Sequence, residues 1–291
     1  KPATFSNDGF INQLTLNPVH TWFDSYFNFD VFIFKEKEAI SRVQRALGIS
    51  KPQFESPVAR PHTFAAPAKR MNVVLVLVES LSADRMGIFG NPKNLTPYLD
   101  SLARRSVFFV NFYSNGIHTN AGLYSTLYGL PIMMMQHPMN NGMSEYLDFT
   151  GLPVTLRDAG YHTQFFCTHP KTFDNLDVFL GRNGFDHISD LSDYPKEKVA
   201  NSWGVGDETL FEHAFSTLDH LAADTTGKPF FATLLTITTH PPFTLPAFTR
   251  FKPRSTDPIE ITYEYMDWSM SNFMDSCSHT GWYNNTVFVF V

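Results

Sequence analysis

Residues 72–78 constrain the fold of this chain more than any other segment, because an unbroken run of Val and Leu follows Asn72 and ends directly at Glu79. An apolar run of this length without alternation is typical of a strand buried on both faces of a parallel sheet. A carboxylate at the end of such a strand is costly to bury unless it is paired or binds a cation. This segment therefore predicts a central parallel strand with an acid of special role at its carboxyl end.

Further strand and helix signals alternate along the rest of the chain. Apolar runs predict strands at residues 107–112, 161–167, 229–237 and 286–291. Capping residues and helical periodicity predict five helices. One starts at Thr96-Pro97, and the others span 120–127, Leu152 to Gly160, an Asp207 cap to about residue 223, and 259–278. This alternation indicates an α/β fold with a mostly parallel central sheet flanked by helices.

Residues 1–68 differ in character from the remainder. They hold aromatic clusters, a predicted helix at 36–47 closed by Gly48, and a linker with four prolines at positions 52, 57, 61 and 67. The clusters suit either packing against the main domain or a juxtamembrane segment near lipid. The chain opens without Met, and the last predicted strand ends without a turn signal. We therefore expect a piece of a longer protein, with residues 69–291 forming a main domain incomplete at its C-terminal end.

The amino-acid composition excludes several classes of protein. Hydrophobic residues make up 43% of the 291 residues, so the chain can build a full core and is not disordered. Lys and Arg number 22 against 28 Asp and Glu, a net charge of −6, which argues against a nucleic-acid partner. The two cysteines, Cys167 and Cys277, cannot form a disulfide framework and lack zinc spacing. No apolar run approaches the ~20 residues of a membrane-spanning helix.

Polar residues follow the predicted strands where ligands bind in open α/β sheets, beyond the carboxyl ends. Glu79 follows the first strand, Thr119 the second, His169 the third and His240 the fourth. Thr119 also lies at a predicted helix start, where backbone N–H groups and the helix dipole favour a phosphate. Ordinary roles remain open for each: a salt bridge or cap for Glu79, an N-cap for Thr119, and a plain loop histidine for His240.

Local strings resemble lipoteichoic acid synthase-like phosphoglycerol transferases of the alkaline phosphatase/sulfatase superfamily. The resemblance covers about residues 70–291 and rests on matching strings in the same order, at 72–80 (NVVLVLVES), 95–99 (LTPYL), 112–120 (FYSNGIHTN), 127–131 (LYGLP), 184–186 (GFD) and 228–243 (KPFFATLLTITTHPPF). It implies a sulfatase-like catalytic domain at 69–291, preceded at 1–68 by a juxtamembrane helical segment and a Pro-rich linker.

The resemblance implies a metal-dependent enzyme of the bacterial cell membrane, anchored by N-terminal transmembrane helices with its catalytic domain outside the cytoplasm. Such enzymes move a head group from a phosphatidylglycerol-like donor, through a phospho-threonine intermediate, to a glycan, glycolipid or polymer acceptor. By position, Thr119 matches the nucleophile and a metal ligand, and Glu79 matches the first metal ligand. The residues expected at the substrate are His240, His169, Asn120 and, in place of a missing Arg, Arg182. Manganese is the expected ion, with zinc and magnesium as alternatives.

The chain departs from the family pattern in ways that leave alternatives. The family's other two metal ligands are an Asp-His pair just after the last core strand, which here would follow residues 286–291, so we expect weak metal binding by this piece. A phosphoethanolamine transferase shares the threonine, and a non-catalytic binding or sensor domain is a third possibility. A sulfatase activity is disfavoured, because residues 118–122 (HTNAG) lack the Cys/Ser-x-Pro-x-Arg motif.

Overall fold

The computed structural model describes residues 36–51, 55–59, 69–130, 132, 139 and 147–291. The chain divides into two units, Lys1–Ala68 and Lys69–Val291. In the first unit, helix α1 spans Glu36–Ala46, close to its predicted bounds, and carries an i,i+4 ion pair between Glu38 and Arg42. The aromatic clusters and most of the predicted proline linker lie outside the described residues.

The second unit is built on a five-stranded parallel sheet. Its strands are β1 (Asn72–Leu77), β2 (His162–Phe166), β3 (His187–Ser189), β6 (Phe230–Leu235) and β7 (Thr286–Phe290), in the order β3-β2-β6-β1-β7. In register, Leu77 of β1 pairs with Leu235 of β6, so both strands end at the same edge. The predicted α/β fold with a mostly parallel sheet is confirmed.

Helices cover both faces of this sheet. They are α2 (Pro97–Arg104), α3 (Thr119–Tyr128), α4 (Leu152–Asp158), α5 (Leu176–Arg182), α6 (Asp207–Ala222) and α7 (Pro258–Ser278). Alternate residues of β1 enter different cores, Val74 and Val76 with α6 and α7, and Leu75 and Leu77 with α3 and α5. Burial on both faces explains why the β1 sequence is apolar without alternation.

A short antiparallel hairpin was not predicted. It consists of β4 (Val199–Asn201) and β5 (Gly204–Val205), and it leads into α6. Strands of two and three residues are too short to produce a periodic pattern, and the three-residue β3 escaped prediction for the same reason. The seven-residue α5 was also not predicted.

The predicted strand at residues 107–112 is wrong. This segment has no regular structure, and its apolar side chains are largely exposed, Val107 by 84% and Phe109 by 70%. Both edges of β1 are already taken by β6 and β7, so the run has no place beside the central strand. Pattern alone could not reveal this, because an apolar run shows strand propensity but not whether a pairing edge is available.

Thr96 is the N-cap residue of α2, as predicted, whereas the predicted cap at Asp207 is wrong. The Thr96 hydroxyl makes no cap hydrogen bond, and the carboxylate of Asp267 on α7 instead accepts from the N–H groups of Tyr98 and Leu99, both at 2.9 Å. Asp207 is the first residue of α6 rather than its cap, and its carboxylate accepts from Ile237 and Thr238 beyond β6. In both cases a carboxylate binds the backbone of a neighbouring element, which a local pattern does not show.

No helix in the described part of the chain is long and apolar enough to cross a membrane.

Candidate active site

Glu79 lies just beyond the carboxyl end of β1, and the loop after β6 fixes its backbone. Its N–H donates to the hydroxyl of Thr236 at 2.9 Å, and its carbonyl accepts from the hydroxyl of Thr239 at 2.5 Å. Its carboxylate accepts from Ser80 Oγ at 2.9 Å and from Thr119 Oγ1 at 2.8 Å. The acid predicted at this strand end is therefore held in place and oriented toward Thr119.

Thr119 is the first residue of α3, and His118 occupies the N-cap position. Its hydroxyl is bonded to Glu79 across 40 residues of sequence rather than to its own helix, so the ordinary N-cap role is excluded. Gly116 allows the preceding loop to close on α3, because a Cβ at Gly116 would lie 2.5 Å from the Cβ of Ala121. Sequence and packing thus place a hydroxyl, a carboxylate and the positive end of a helix together.

Thr119 opens onto a cavity of about 260 Å³ at the carboxyl edge of the sheet. The structure brings Asn120, His169 and His240 to this cavity, as the sequence predicted. It does not bring Arg182 there: Arg182 is absent from the lining, and its guanidinium pairs with Asp148 at 2.8 Å. None of the described residues that line the cavity is Lys or Arg.

His169 is a buried, neutral side chain of the cavity wall. The residue is 4% exposed, and burial lowers the pKa of its imidazole below the usual value for histidine. Nδ1 lies 3.1 Å from the carbonyl oxygen of Pro170, which can only accept. Nδ1 therefore carries the proton, and Nε2 of the neutral ring is the unprotonated nitrogen.

Aromatic rings form another part of the lining. The rings of Phe173 and Trp203 are perpendicular with centroids 5.4 Å apart, and Phe173 also meets His169 edge to face at 5.3 Å. Trp203 lies against His240 with ring centroids 4.3 Å apart. We call Phe173, Trp203, His169 and His240 the aromatic wall.

Sequence reasoning missed the four other polar or aromatic residues of the lining, His118, Phe173, Asp174 and Trp203. Asp174 lies in the loop after β2, at a positive φ of 54°, and its Oδ2 is 3.4 Å from Nδ2 of Asn120. The position of this loop after a predicted strand was a usable signal for Phe173 and Asp174. Trp203 lies in the turn of the short hairpin, and no sequence feature placed that hairpin at the site.

Asp207 stabilises the loop after β6, which carries part of the site. It is fully buried, and burial raises the pKa of its carboxyl to about 6. Its Oδ1 accepts from the N–H of Ile237 at 2.8 Å and of Thr238 at 3.2 Å. These contacts fix the start of the loop that carries Thr239 and His240.

The donor set fits a divalent cation in part. Glu79 and Thr119 present two oxygens 2.8 Å apart, and oxygen ligands of this kind suit manganese or magnesium and are tolerated by zinc. No group of three or more His, Cys, Asp or Glu that could hold a metal occurs among the described residues. The described part of the chain therefore supplies two candidate ligands of a site that requires more.

The fold and this site define a parallel α/β protein of the alkaline phosphatase superfamily class. The chain belongs to the sulfatase family, whose model, described as "Sulfatase", matches residues 71–291. A structure from Vibrio parahaemolyticus, described as a protein in the alkaline phosphatase superfamily, superposes with a TM-score of 0.78 and 27% identity over 88% of this chain and 63% of that one.

Two curated relatives agree with the resemblance seen in the sequence. "Lipoteichoic acid synthase-like YvgJ" of Bacillus subtilis is 25% identical over 77% of this chain and 37% of its own length. "Phosphoglycerol transferase I" of Xanthomonas euvesicatoria is 29% identical over 66% of this chain and 27% of its own length. The predicted resemblance to lipoteichoic acid synthase-like phosphoglycerol transferases is confirmed. The chain spans about a third of the length of the curated relatives it matches.

Proposed function

We propose that this chain is the catalytic part of a metal-dependent phosphoglycerol transferase. The observation that carries the proposal is the 2.8 Å hydrogen bond from Thr119 Oγ1 to Glu79 at the N-terminus of α3, beside an open cavity. A hydroxyl is a weak nucleophile unless a base or a metal activates it, and the Thr119 hydroxyl has a carboxylate as its partner. The names of the two curated relatives support phosphoglycerol as the transferred group.

The proposed reaction proceeds in two displacements at phosphorus. Thr119 Oγ attacks the donor phosphorus and gives up its proton, the bond to the diacylglycerol oxygen breaks, and that oxygen takes up a proton as diacylglycerol leaves. An acceptor hydroxyl then attacks the phospho-threonine and gives up its proton, the bond from phosphorus to Thr119 Oγ breaks, and Thr119 Oγ takes up a proton again. A divalent cation held by Glu79 and Thr119 would supply positive charge that lowers the hydroxyl pKa and offsets the charge of the phosphodiester.

The remaining lining residues have roles in binding. Asn120 provides an amide N–H that can donate to a phosphate oxygen, and the unprotonated Nε2 atoms of His169 and His240 can accept hydrogen bonds from substrate hydroxyls. The donor is a phosphatidylglycerol-like lipid, and the acceptor is a glycan, glycolipid or polyol polymer. A lipid donor places the protein at the bacterial cell membrane, with this catalytic part outside the cytoplasm, where envelope polymers are built.

Asp174 favours a second candidate, transfer of phosphoethanolamine. The cavity lining carries a carboxylate and, among its described residues, no Lys or Arg. A carboxylate beside aromatic rings can bind an ammonium group through charge and through the ring faces. The same carboxylate can instead accept hydrogen bonds from glycerol hydroxyls, so the donor assay decides between the two.

The test is release of diacylglycerol by the full-length protein. Phosphatidylglycerol and phosphatidylethanolamine analogues are supplied in turn with manganese, zinc or magnesium, and with a chelator as control. We expect metal-dependent turnover of the phosphatidylglycerol analogue. Turnover of the ethanolamine lipid alone would establish the second candidate. No turnover of either lipid by folded protein would contradict both and favour a non-catalytic binding domain.

A further inference from the structure

We propose that Trp203 is a positioning residue that holds the imidazole of His240 in one orientation and one tautomer. The inference rests on the proposed function, in which His240 meets the substrate. It assigns a role to a hairpin residue that neither the sequence nor the relatives' names single out.

The carbonyl oxygen of Pro241 connects the two side chains. It accepts a hydrogen bond from Trp203 Nε1 at 3.0 Å and lies 2.9 Å from His240 Nδ1. A carbonyl cannot donate, so His240 Nδ1 carries the proton in this contact. Nε2 is then the nitrogen left to accept a hydrogen bond from a hydroxyl in the cavity.

Ring contact adds to this restraint. The indole of Trp203 lies 4.3 Å from the imidazole of His240, between centroids, at an angle of 57°. The indole therefore limits rotation of the imidazole away from the Pro241 carbonyl. Loss of the indole would free a partly exposed histidine, and a free imidazole exchanges between its two tautomers.

The hairpin that carries Trp203 is fixed to the sheet. The carbonyl of Trp203 accepts from Thr168 Oγ1 at 3.0 Å, just beyond β2. Gly204 has a φ of 94°, and a Cβ there would lie 1.8 Å from the carbonyl oxygen of Thr168. Asn201 joins the hairpin to the loop after β6 through Thr244 Oγ1 at 3.1 Å. Trp203 is therefore a rigid support rather than a mobile surface ring.

A double-mutant cycle tests the proposal in the full-length protein. The variants are Trp203→Phe, His240→Ala and the pair, and the readout is kcat/KM for diacylglycerol release. Phe keeps a ring but cannot donate to Pro241. We expect Trp203→Phe to lower kcat/KM about tenfold with His240 present and less than about twofold when His240 is already Ala, because residues that act through one another are not additive.

Trp268→Phe is the matched control. Trp268 lies on α7 against Phe251 and Tyr265 and is not among the cavity-lining residues, so this exchange should leave kcat/KM unchanged. An equal loss from Trp203→Phe with and without His240 would overturn the proposal, since Trp203 would then act on the substrate or the fold directly. Equal melting temperatures of the two Trp variants exclude a general loss of folding.

A second measurement does not depend on activity. Nitrogen NMR of the His240 ring, recorded at a pH where the ring is neutral, should show a protonated Nδ1 and an unprotonated Nε2 in the wild type and in Trp268→Phe. Trp203→Phe should show a mixture of tautomers. An unchanged tautomer would contradict the proposal even if no donor lipid is turned over, while absence of turnover with the expected NMR result would contradict only the proposed function.

Discussion

The cavity has two walls that are built differently. On one side, Thr119 lines the cavity at the start of α3, and its hydrogen-bond partner Glu79, which is not itself a lining residue, follows the end of β1, so regular elements fix both positions. On the other side, the aromatic wall comes from loops and from the turn of a short hairpin. Strand and helix ends restrict position more than loops do, and loops tolerate more variation. The side with the Glu79 and Thr119 oxygens, which we call the oxygen side, therefore suits the proposed reaction at phosphorus. The aromatic wall suits selection of the substrate.

The largest expected effect follows from removing the hydroxyl on the oxygen side. Thr119→Ala should lower diacylglycerol release by about 10³-fold or more, because the attacking atom is lost. Mass spectrometry of the wild type, stopped during turnover, should show a phosphate ester on Thr119 that is missing in the variant.

Thr119→Ser is the control for this exchange, since it keeps the hydroxyl and its bond to Glu79. We expect it to retain a measurable part of the activity. Turnover of Thr119→Ala at the wild-type rate would remove this residue as the nucleophile and would leave the oxygen side without a reactive group.

A smaller effect is expected at the carboxylate. Glu79→Gln should weaken binding of manganese or zinc by roughly 10- to 100-fold, because it removes an anionic ligand while keeping the shape of the side chain. Titration calorimetry of the full-length protein measures this affinity. Glu197→Gln, at an exposed acid, is the control and should bind as the wild type does. Equal affinities of the two variants would contradict the ligand role.

A substitution on the side of the cavity that carries the aromatic wall should have a different effect. It should change the preference between donor lipids rather than abolish the reaction. We expect Asp174→Asn to lower the ratio of kcat/KM for an ethanolamine lipid over a glycerol lipid by about tenfold, since one charge interaction in a partly dry site is worth about 1.4 kcal/mol. Asp177→Asn, three residues further on and outside the lining, is the control. An unchanged ratio in Asp174→Asn would show that this carboxylate takes no part in choosing the head group.

The two walls also differ in how far the sequence predicted them. The apolar run of β1 placed Glu79 at the sheet edge, and the helix signal placed Thr119 at a helix start, because buried parallel strands and helix starts have strong local patterns. The predicted strand at 107–112 that was to bring Thr119 to the same edge does not exist. Trp203 depends on a hairpin fixed by contacts from Thr168 and Thr244, which are distant in sequence. The prediction of a strand at residues 107–112 was wrong for a related reason, because the segment has strand propensity but both edges of β1 are occupied by other strands. Local sequence patterns predicted the reactive groups Glu79 and Thr119, whereas contacts between distant residues determine the position of Trp203 and the absence of a strand at 107–112.

The smallest expected effect concerns a buried carboxylate of the scaffold, outside the cavity lining. Burial raises the pKa of Asp267, which holds the start of α2, to about 6. The folded state thus keeps a proton that the unfolded chain releases near pH 4, so the contribution of Asp267 to stability is fully present below about pH 4 and is lost as the pH rises through about 6. For such a group the free energy of unfolding should fall by about 1 kcal/mol between pH 5 and pH 6.

Asp267→Asn should remove this part of the pH dependence, because an amide does not titrate, while Asp275→Asn at an exposed position of the same helix should keep it. Urea unfolding at pH 5 and at pH 6 measures both variants against the wild type. A wild-type slope in Asp267→Asn would show that this buried carboxylate does not hold its proton in the folded state. Asp267 lies outside the cavity lining. If Asp267→Asn changes the pH dependence of stability but leaves the donor preference unchanged, the stability of the scaffold is separate from the selectivity of the aromatic wall.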